Sequence, residues 1–119
     1  MPAFNIVRFR VKPGHAEHFI AAHRSVRPAF KGFRGGTLVR TGERTFCIIG
    51  EWANFKSLEA ARPEMIAVLD TVRDDLEDLG NGLGVTDPVS GEVVARLSVS
   101  KKPKKKMRGK KPAARKKRQ

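Results

Sequence analysis

Polar and apolar positions alternate along residues 3–11: Val7, Phe9 and Val11 fall on one side, Phe4, Ile6, Arg8 and Arg10 on the other. A period of two is that of a strand, here with one clean apolar face and one mixed face. Lys12-Pro13-Gly14 turns the chain, after which Ala16, Phe19, Ile20, His23 and Phe30 fall near one helical stripe. Pro28 disfavours helical geometry at Arg27, so this helix is expected to loosen or end there. Gly32 and Gly35-Gly36 bracket the entry to a second strand, predicted from Thr37 to Thr41. The short Thr41-Gly42-Glu43-Arg44 link predicts a hairpin into the next strand.

Phe46-Cys47-Ile48-Ile49-Gly50-Glu51-Trp52 contains the longest apolar run and ends on the only tryptophan. It reads as a central strand, flanked on both sides. Asn54 or Ser57 is placed to cap a following helix carrying Leu58 and Ala61. Pro63 with Glu64 predicts a restart, because proline and an acid both suit a first helical turn. Met65, Leu69, Val72, Leu76 and Leu79 then continue at steps of four and three, with Gly80 as the stop. Gly80 to Gly91 reads as a loop, and Val93, Ala95, Leu97 and Val99 alternate as a last strand.

The resulting order is strand, helix, strand, strand, helix, strand. This predicts an α+β fold: a four-stranded antiparallel sheet with helices on one face. Strand parity leaves Phe4, Ile6, Arg8, Arg10, Ile49, Glu51 and Arg96 on a face without helices. A large, partly apolar bare face predicts a homodimer through it, with Glu51 near Arg8 or Arg10.

Charge divides the chain of 119 residues in two. Residues 1–100 are nearly neutral and form one expected domain. Residues 101–119 hold twelve basic residues and no acid: Lys101, Lys102, Lys104, Lys105, Lys106, Arg108, Lys110, Lys111, Arg115, Lys116, Lys117 and Arg118. Such a segment cannot bury a core and is expected to be a disordered tail. Its charges suit sequence-blind contact with nucleic acid, and the lack of aromatics argues against base stacking. Ribosomes, an anionic membrane, or solubility alone are the other readings of this tail.

Cys47 lies within the apolar run and, as the single cysteine, forms no intramolecular disulfide; it reads as a small core residue. No secretory leader and no run of about 18 apolar residues is visible, so the cytoplasm is expected, with the nucleoid as a further location through the tail.

Few residues bring chemistry. Trp52 either fills the gap between helices and sheet or forms a flat wall for an aromatic ligand. Asn5 shares the side of Val7 and Phe9, where it can place a polar group in that gap; the competing role is capping backbone groups at the strand end. His23, on the apolar stripe, is either a hydrogen-bonded core histidine or a proton carrier. His15 and His18 are three apart but lack a third ligand, so no metal is expected. Asp70, Asp74, Asp75, Glu77 and Asp78 read as solvated surface, or as a dock for the basic tail. Gly80-Asn81-Gly82-Leu83-Gly84 follows a helix rather than preceding one, which marks a connector and not a phosphate loop.

Val-Lys-Pro-Gly-His after the first strand, Gly32-Phe33 before the second, and Ile-Ile-Gly-Glu-Trp followed by Ser57-Leu58-Glu59-Ala60 resemble the antibiotic biosynthesis monooxygenase family, of the dimeric α+β barrel superfamily. The resemblance covers roughly residues 3–99. It implies a ferredoxin-like βαββαβ domain, a homodimer, and a pocket between each sheet and its own helices. It also implies oxidation of phenolic aromatics to quinones with no metal, flavin or other cofactor. Trp52 matches the pocket tryptophan of the quinone-forming members. Their partner asparagine falls on Ile48, and their pocket tyrosines have no counterpart in a chain without tyrosine. The residues of the haem-degrading members fall near Val7, Ala61 and Thr71, so haem cleavage is not expected. The candidate site is therefore Trp52, Asn5 and His23. The leading expectation is an oxygenase-like domain acting on a small aromatic compound. The alternative is a non-enzymatic dimeric module brought to nucleic acid by its tail.

Overall fold

The computed structural model describes residues 1–100; the expectations for the basic tail lie outside the described residues. The elements are β1 (Ala3–Arg10), α1 (Ala16–Ser25), β2 (Phe33–Arg40), β3 (Thr45–Trp52), α2 (Phe55–Ala60), α3 (Arg62–Asp70), a single 3-10 turn (Arg73–Asp75) and β4 (Asp87–Glu92). The strands form one antiparallel sheet in the order β2-β3-β1-β4. This is the α+β, ferredoxin-like arrangement expected from the pattern, with β3 and β1 at its centre.

Local signals explain most boundaries. Gly14, at φ +81°, turns the chain into α1, which ends at Ser25 with Val26 already extended, two residues before Pro28. Phe30 is therefore not on α1 but in the loop behind it. Asn54 caps α2 by accepting a bond from the Ser57 amide (2.8 Å), and α3 restarts with Pro63 in its first turn. β2 is longer than its sequence pattern predicts. It starts at Phe33 because Gly35, at φ +139°, absorbs an irregularity in the pairing with β3.

Two expectations are corrected. The second helical stretch does not run to Leu79. It ends at Asp70, where Thr71 turns its hydroxyl back onto the Val68 carbonyl (2.6 Å). Beyond the 3-10 turn, Leu76 forms an antiparallel bridge with Val11. The Lys12 amide donates to the Asp75 carbonyl and the Glu77 amide to the Arg10 carbonyl, both at 2.8 Å. Leu76 reaches the core in either conformation, so the apolar period could not reveal the change. The last strand is also displaced: it is Asp87–Glu92, all but its last residue inside the expected loop, and not Val93–Val99. Its register on β1 sets Asp87 opposite Arg8 as an ion pair. As an edge strand it tolerates Pro88, which needs no ladder donor on its open side. Val94, Leu97 and Val99 are left almost fully exposed.

The helix-covered side holds two clusters. Phe9, Val11, Phe19, Phe46, Val72 and Leu76 form the larger, with Phe19 5.5 Å from Phe9 and 5.1 Å from Phe46 between ring centres. Ala3, Trp52, Leu58 and Ala61 form the smaller. On the helix-free side Ile6 and Val89 are exposed, and Cys47 is half-buried there, on the face that alternation along its strand gives it and not in the core. Within the chain Arg8 pairs with Asp87 and Arg10 with Glu77, while Glu51 sits 3.6 Å from Arg96 and 3.9 Å from Arg34. Arg10 and Arg44 hold the Glu77 carboxyl below the usual carboxylate range by donating hydrogen bonds to it.

Candidate functional site

Between the two clusters the helices stand off the sheet and enclose a cavity of about 420 Å³. None of the side chains of α3 is fully buried: Met65 and Leu69 pack at the margins of the smaller and larger cluster, respectively, and also line this space. Its size falls in the range of roughly 300–1,000 Å³ seen for small-molecule sites. Apolar side chains dominate the lining, and Asn5, His23, Arg62, Thr86 and Ser90 supply its polar side chains.

The sheet brings Asn5 and Trp52 together although they are distant in sequence. β1 and β3 pair in the register Asn5↔Gly50 and Ala3↔Trp52, so both side chains leave the sheet on the helix side. The Trp52 indole Nε1 donates to Asn5 Oδ1 at 2.8 Å. An indole N–H only donates, which fixes the amide with its oxygen toward the ring. The Asn5 Nδ2 group then points at the Met65 sulfur, 4.0 Å away. A thioether is a weak acceptor, so this amide retains donor capacity toward a ligand oxygen.

Gly50 makes that pair possible. A Cβ at position 50 would lie 2.5 Å from Asn5 Oδ1 and 3.4 Å from Trp52 Nε1. The sequence carried a signal for this position: glycine at an inward site of a central strand marks close approach of another group.

Trp52 is only 1% exposed. Phe30 stacks on it (centres 5.8 Å apart, planes at 17°) and Phe33 leans against it at 4.9 Å. It is thus not an open platform; its ring is packed between aromatics and its N–H edge is held by Asn5. The role of Asn5 as a cap for backbone groups is replaced by this side-chain pairing. Ile48 lines the same cavity as an apolar wall.

His23 reaches the cavity from α1. Its Nδ1 lies 2.8 Å from the Phe19 carbonyl, which can only accept, so the neutral ring carries its lone pair on Nε2. The ring also packs against Phe19, with centres 4.5 Å apart. The fold therefore places Asn5, Trp52 and His23 around one space.

Other candidates lie elsewhere. His15 and His18 both turn Nδ1 toward Asp75, at 2.9 and 2.7 Å. Asp75 is 5% exposed and not the solvated surface residue expected. Burial acts to raise its pKa, but hydrogen bonds and charge from the two histidines outweigh it and leave the carboxyl below its ordinary value. Among the described residues no group of three His, Cys, Asp or Glu side chains is placed to hold a metal. The rest of the acidic stretch is largely engaged too: Asp70 pairs with Arg73, and Asp78 accepts from the Gly80 amide.

Residues 2–63 match the sequence profile of the antibiotic biosynthesis monooxygenase family. No curated protein matches the chain. Solved structures with the same fold include a protein of unknown function from Nitrosomonas europaea, at TM-score 0.64 and 18% identity over 83% of this chain and 95% of that one. PA3566 from Pseudomonas aeruginosa aligns at TM-score 0.59 and 21% identity, covering 79% of this chain and 95% of that one. A mutant of SnoaB, a cofactor-independent oxygenase from Streptomyces nogalater, aligns at TM-score 0.56 and 17% identity, covering 81% and 96%. At these identities the structural likeness speaks to fold, whereas the sequence profile spans more than half of the chain: the protein belongs to the antibiotic biosynthesis monooxygenase family.

Proposed function

We propose that the domain is a cofactor-independent monooxygenase that oxidises a small phenolic aromatic compound in the cavity between sheet and helices. The observation that carries this reading is the Asn5–Trp52 pair, with an under-used amide donor in an otherwise apolar space that His23 also lines. The aromatic ring would sit among apolar side chains, and the His23 Nε2 lone pair would take the phenolic proton. The phenolate is the electron donor to dioxygen. One oxygen atom becomes the second carbonyl of a quinone in place of a ring hydrogen, the other leaves as water with that hydrogen and the phenolic proton, and the substrate itself supplies all four electrons. Asn5 Nδ2 would donate to the oxygen on which negative charge gathers, a role in which a fixed donor in a dry site is effective. Trp52 holds that amide in place, and so acts on the reaction through Asn5.

The test is oxygen consumption by the purified full chain with a panel of mono- and polycyclic phenols. Turnover is expected with at least one of them, reduced about 10²-fold by Asn5→Leu and lowered by Trp52→Phe and His23→Phe. No oxygen uptake across the panel would remove the oxygenase reading.

A second reading rests on the twelve basic residues of 101–119: a non-catalytic cytoplasmic module carried to nucleic acid by its tail. Truncation after Ser100 discriminates, since this reading requires loss of DNA and RNA retention at moderate salt.

Under either reading the helix-free sheet face is the proposed contact with a second copy. Ile6 (36% exposed), Val39 (37%) and Val89 (61%) support this. Light scattering should find a dimer that Ile6→Lys dissociates. Among the described residues no helix is long and apolar enough to cross a membrane.

A further inference from the structure

We infer that the cavity selects an aromatic ligand that also bears a carboxylate, and that Arg62 at its rim is the residue that pairs with that group. The inference rests on the reading of the cavity as an aromatic site and narrows its ligand class. Among the described residues no aspartate or glutamate lines the space, and Arg62 and His23 are the only basic side chains that do. The charge at the mouth of the cavity is therefore that of a cation, on an exposed side chain at the rim.

Among the described residues Arg62 has no partner that accounts for its charge. Its Nη2 reaches only the neutral Ser90 hydroxyl, at a long 3.4 Å, and its guanidinium lies 5.9 Å from the centre of the Phe55 ring. Among the described residues Arg8, Arg10, Arg34, Arg44, Arg73 and Arg96 each meet a carboxylate; Arg62, like Arg24, Arg27 and Arg40, meets none, and of these four it is the one that lines the cavity. Its position also works against the helix that carries it. Arg62 opens α3, where a cation opposes the positive end of the helix dipole. A guanidinium kept there, unpaired and beside an apolar cavity, suits an anion that arrives with a ligand. Its planar fork matches two oxygens of a carboxylate. Ser90 on β4, across from α3, adds a hydroxyl to the same rim. With the acidic group at Arg62, the ring of the ligand extends inward among Met65, Leu69 and Ile48 toward Asn5.

The fluorescence of Trp52 reports on this directly, because it is the only tryptophan and the chain has no tyrosine. The probes are 4-nitrobenzoate and the neutral 4-nitrobenzamide, both non-fluorescent quenchers of similar size, titrated into the full chain at moderate salt. The expected result is tighter binding of the carboxylate by about tenfold, the scale of one charge-assisted hydrogen bond. Arg62→Gln should abolish that ratio and leave the affinity for the amide unchanged, while Arg62→Lys should restore part of it. Because Arg62→Gln keeps the basic tail, any anion attraction by the tail appears in both proteins. Equal affinities in the unaltered protein, or a preference that survives Arg62→Gln, would overturn the assignment while leaving the aromatic site intact. Quenching by neither compound would remove both.

Discussion

The two ends of the helix–sheet interface are built from similar residues and do opposite things. At one end Phe9, Phe19, Phe46, Val72 and Leu76 close on one another. Its buried carboxylate, Asp75, has both oxygens occupied by His15 and His18. At the other end Trp52 packs with Leu58, Phe30, Phe33 and Met65 but leaves a cavity beside it, toward the first cluster. The polar groups there keep capacity in reserve: the Asn5 amide faces a sulfur, His23 Nε2 carries a lone pair, and Arg62 lacks a carboxylate. A domain made only for stability would satisfy these groups or replace them with apolar ones. One end holds the fold together so that the other can remain hollow.

Substitutions should separate the two ends. The largest effect is expected from Phe19→Ala, which empties the centre of the closed cluster. About 3–5 kcal/mol of stability should be lost in urea unfolding. A loss under 1 kcal/mol would mean that this end is not the tighter one. Asp75→Asn comes next, at about 1–3 kcal/mol, because a buried acceptor of two bonds is weakened. It also carries a pH signature. The folded-state pKa of Asp75 is lowered from 3.8, so its contribution is present above that value and is lost as pH falls through the folded one. The Asn variant should therefore lose stability near neutrality and show a flatter acid limb; parallel acid limbs in the two proteins would contradict the role given to the histidine clamp. The smallest stability effect, about 1 kcal/mol, is expected from Gly50→Ala at the hollow end, where Asn5 can swing into the void. Its main consequence should be functional: a shifted Trp52 emission and lower affinity for aromatic ligands. Unchanged emission with full ligand affinity would show that the Asn5–Trp52 bond is not what Gly50 protects.

The same contrast explains what was legible in the residues. Strand parity found the helix side of β1 and β3, because alternation reports burial directly; Asn5, Ile48 and Trp52 all face where parity puts them. The closing residues of the interface were harder. Leu76 has the helical spacing but lies on an extended bridge to Val11, since an apolar period counts burial and not the conformation that achieves it. Val93–Val99 alternates as a strand should, yet the ladder on β1 is taken by Asp87–Glu92, a less apolar segment that brings Asp87 to Arg8. Arg62 gave no signal at all, because an arginine on an exposed helical turn looks the same whether or not a cavity lies beneath it.

The sequence by itself determined the order of elements, the division of charge between residues 1–100 and 101–119, and which side of each central strand turns inward. Those properties follow from local periodicity and composition, which need no partner. Only the tertiary structure decided that Trp52 spends its N–H on Asn5, that Gly50 clears the space for it, and that two histidines converge on Asp75. Each of these joins residues far apart in the chain through strand register or helix placement, and the energy of a hydrogen bond or a void depends on where the second group stands.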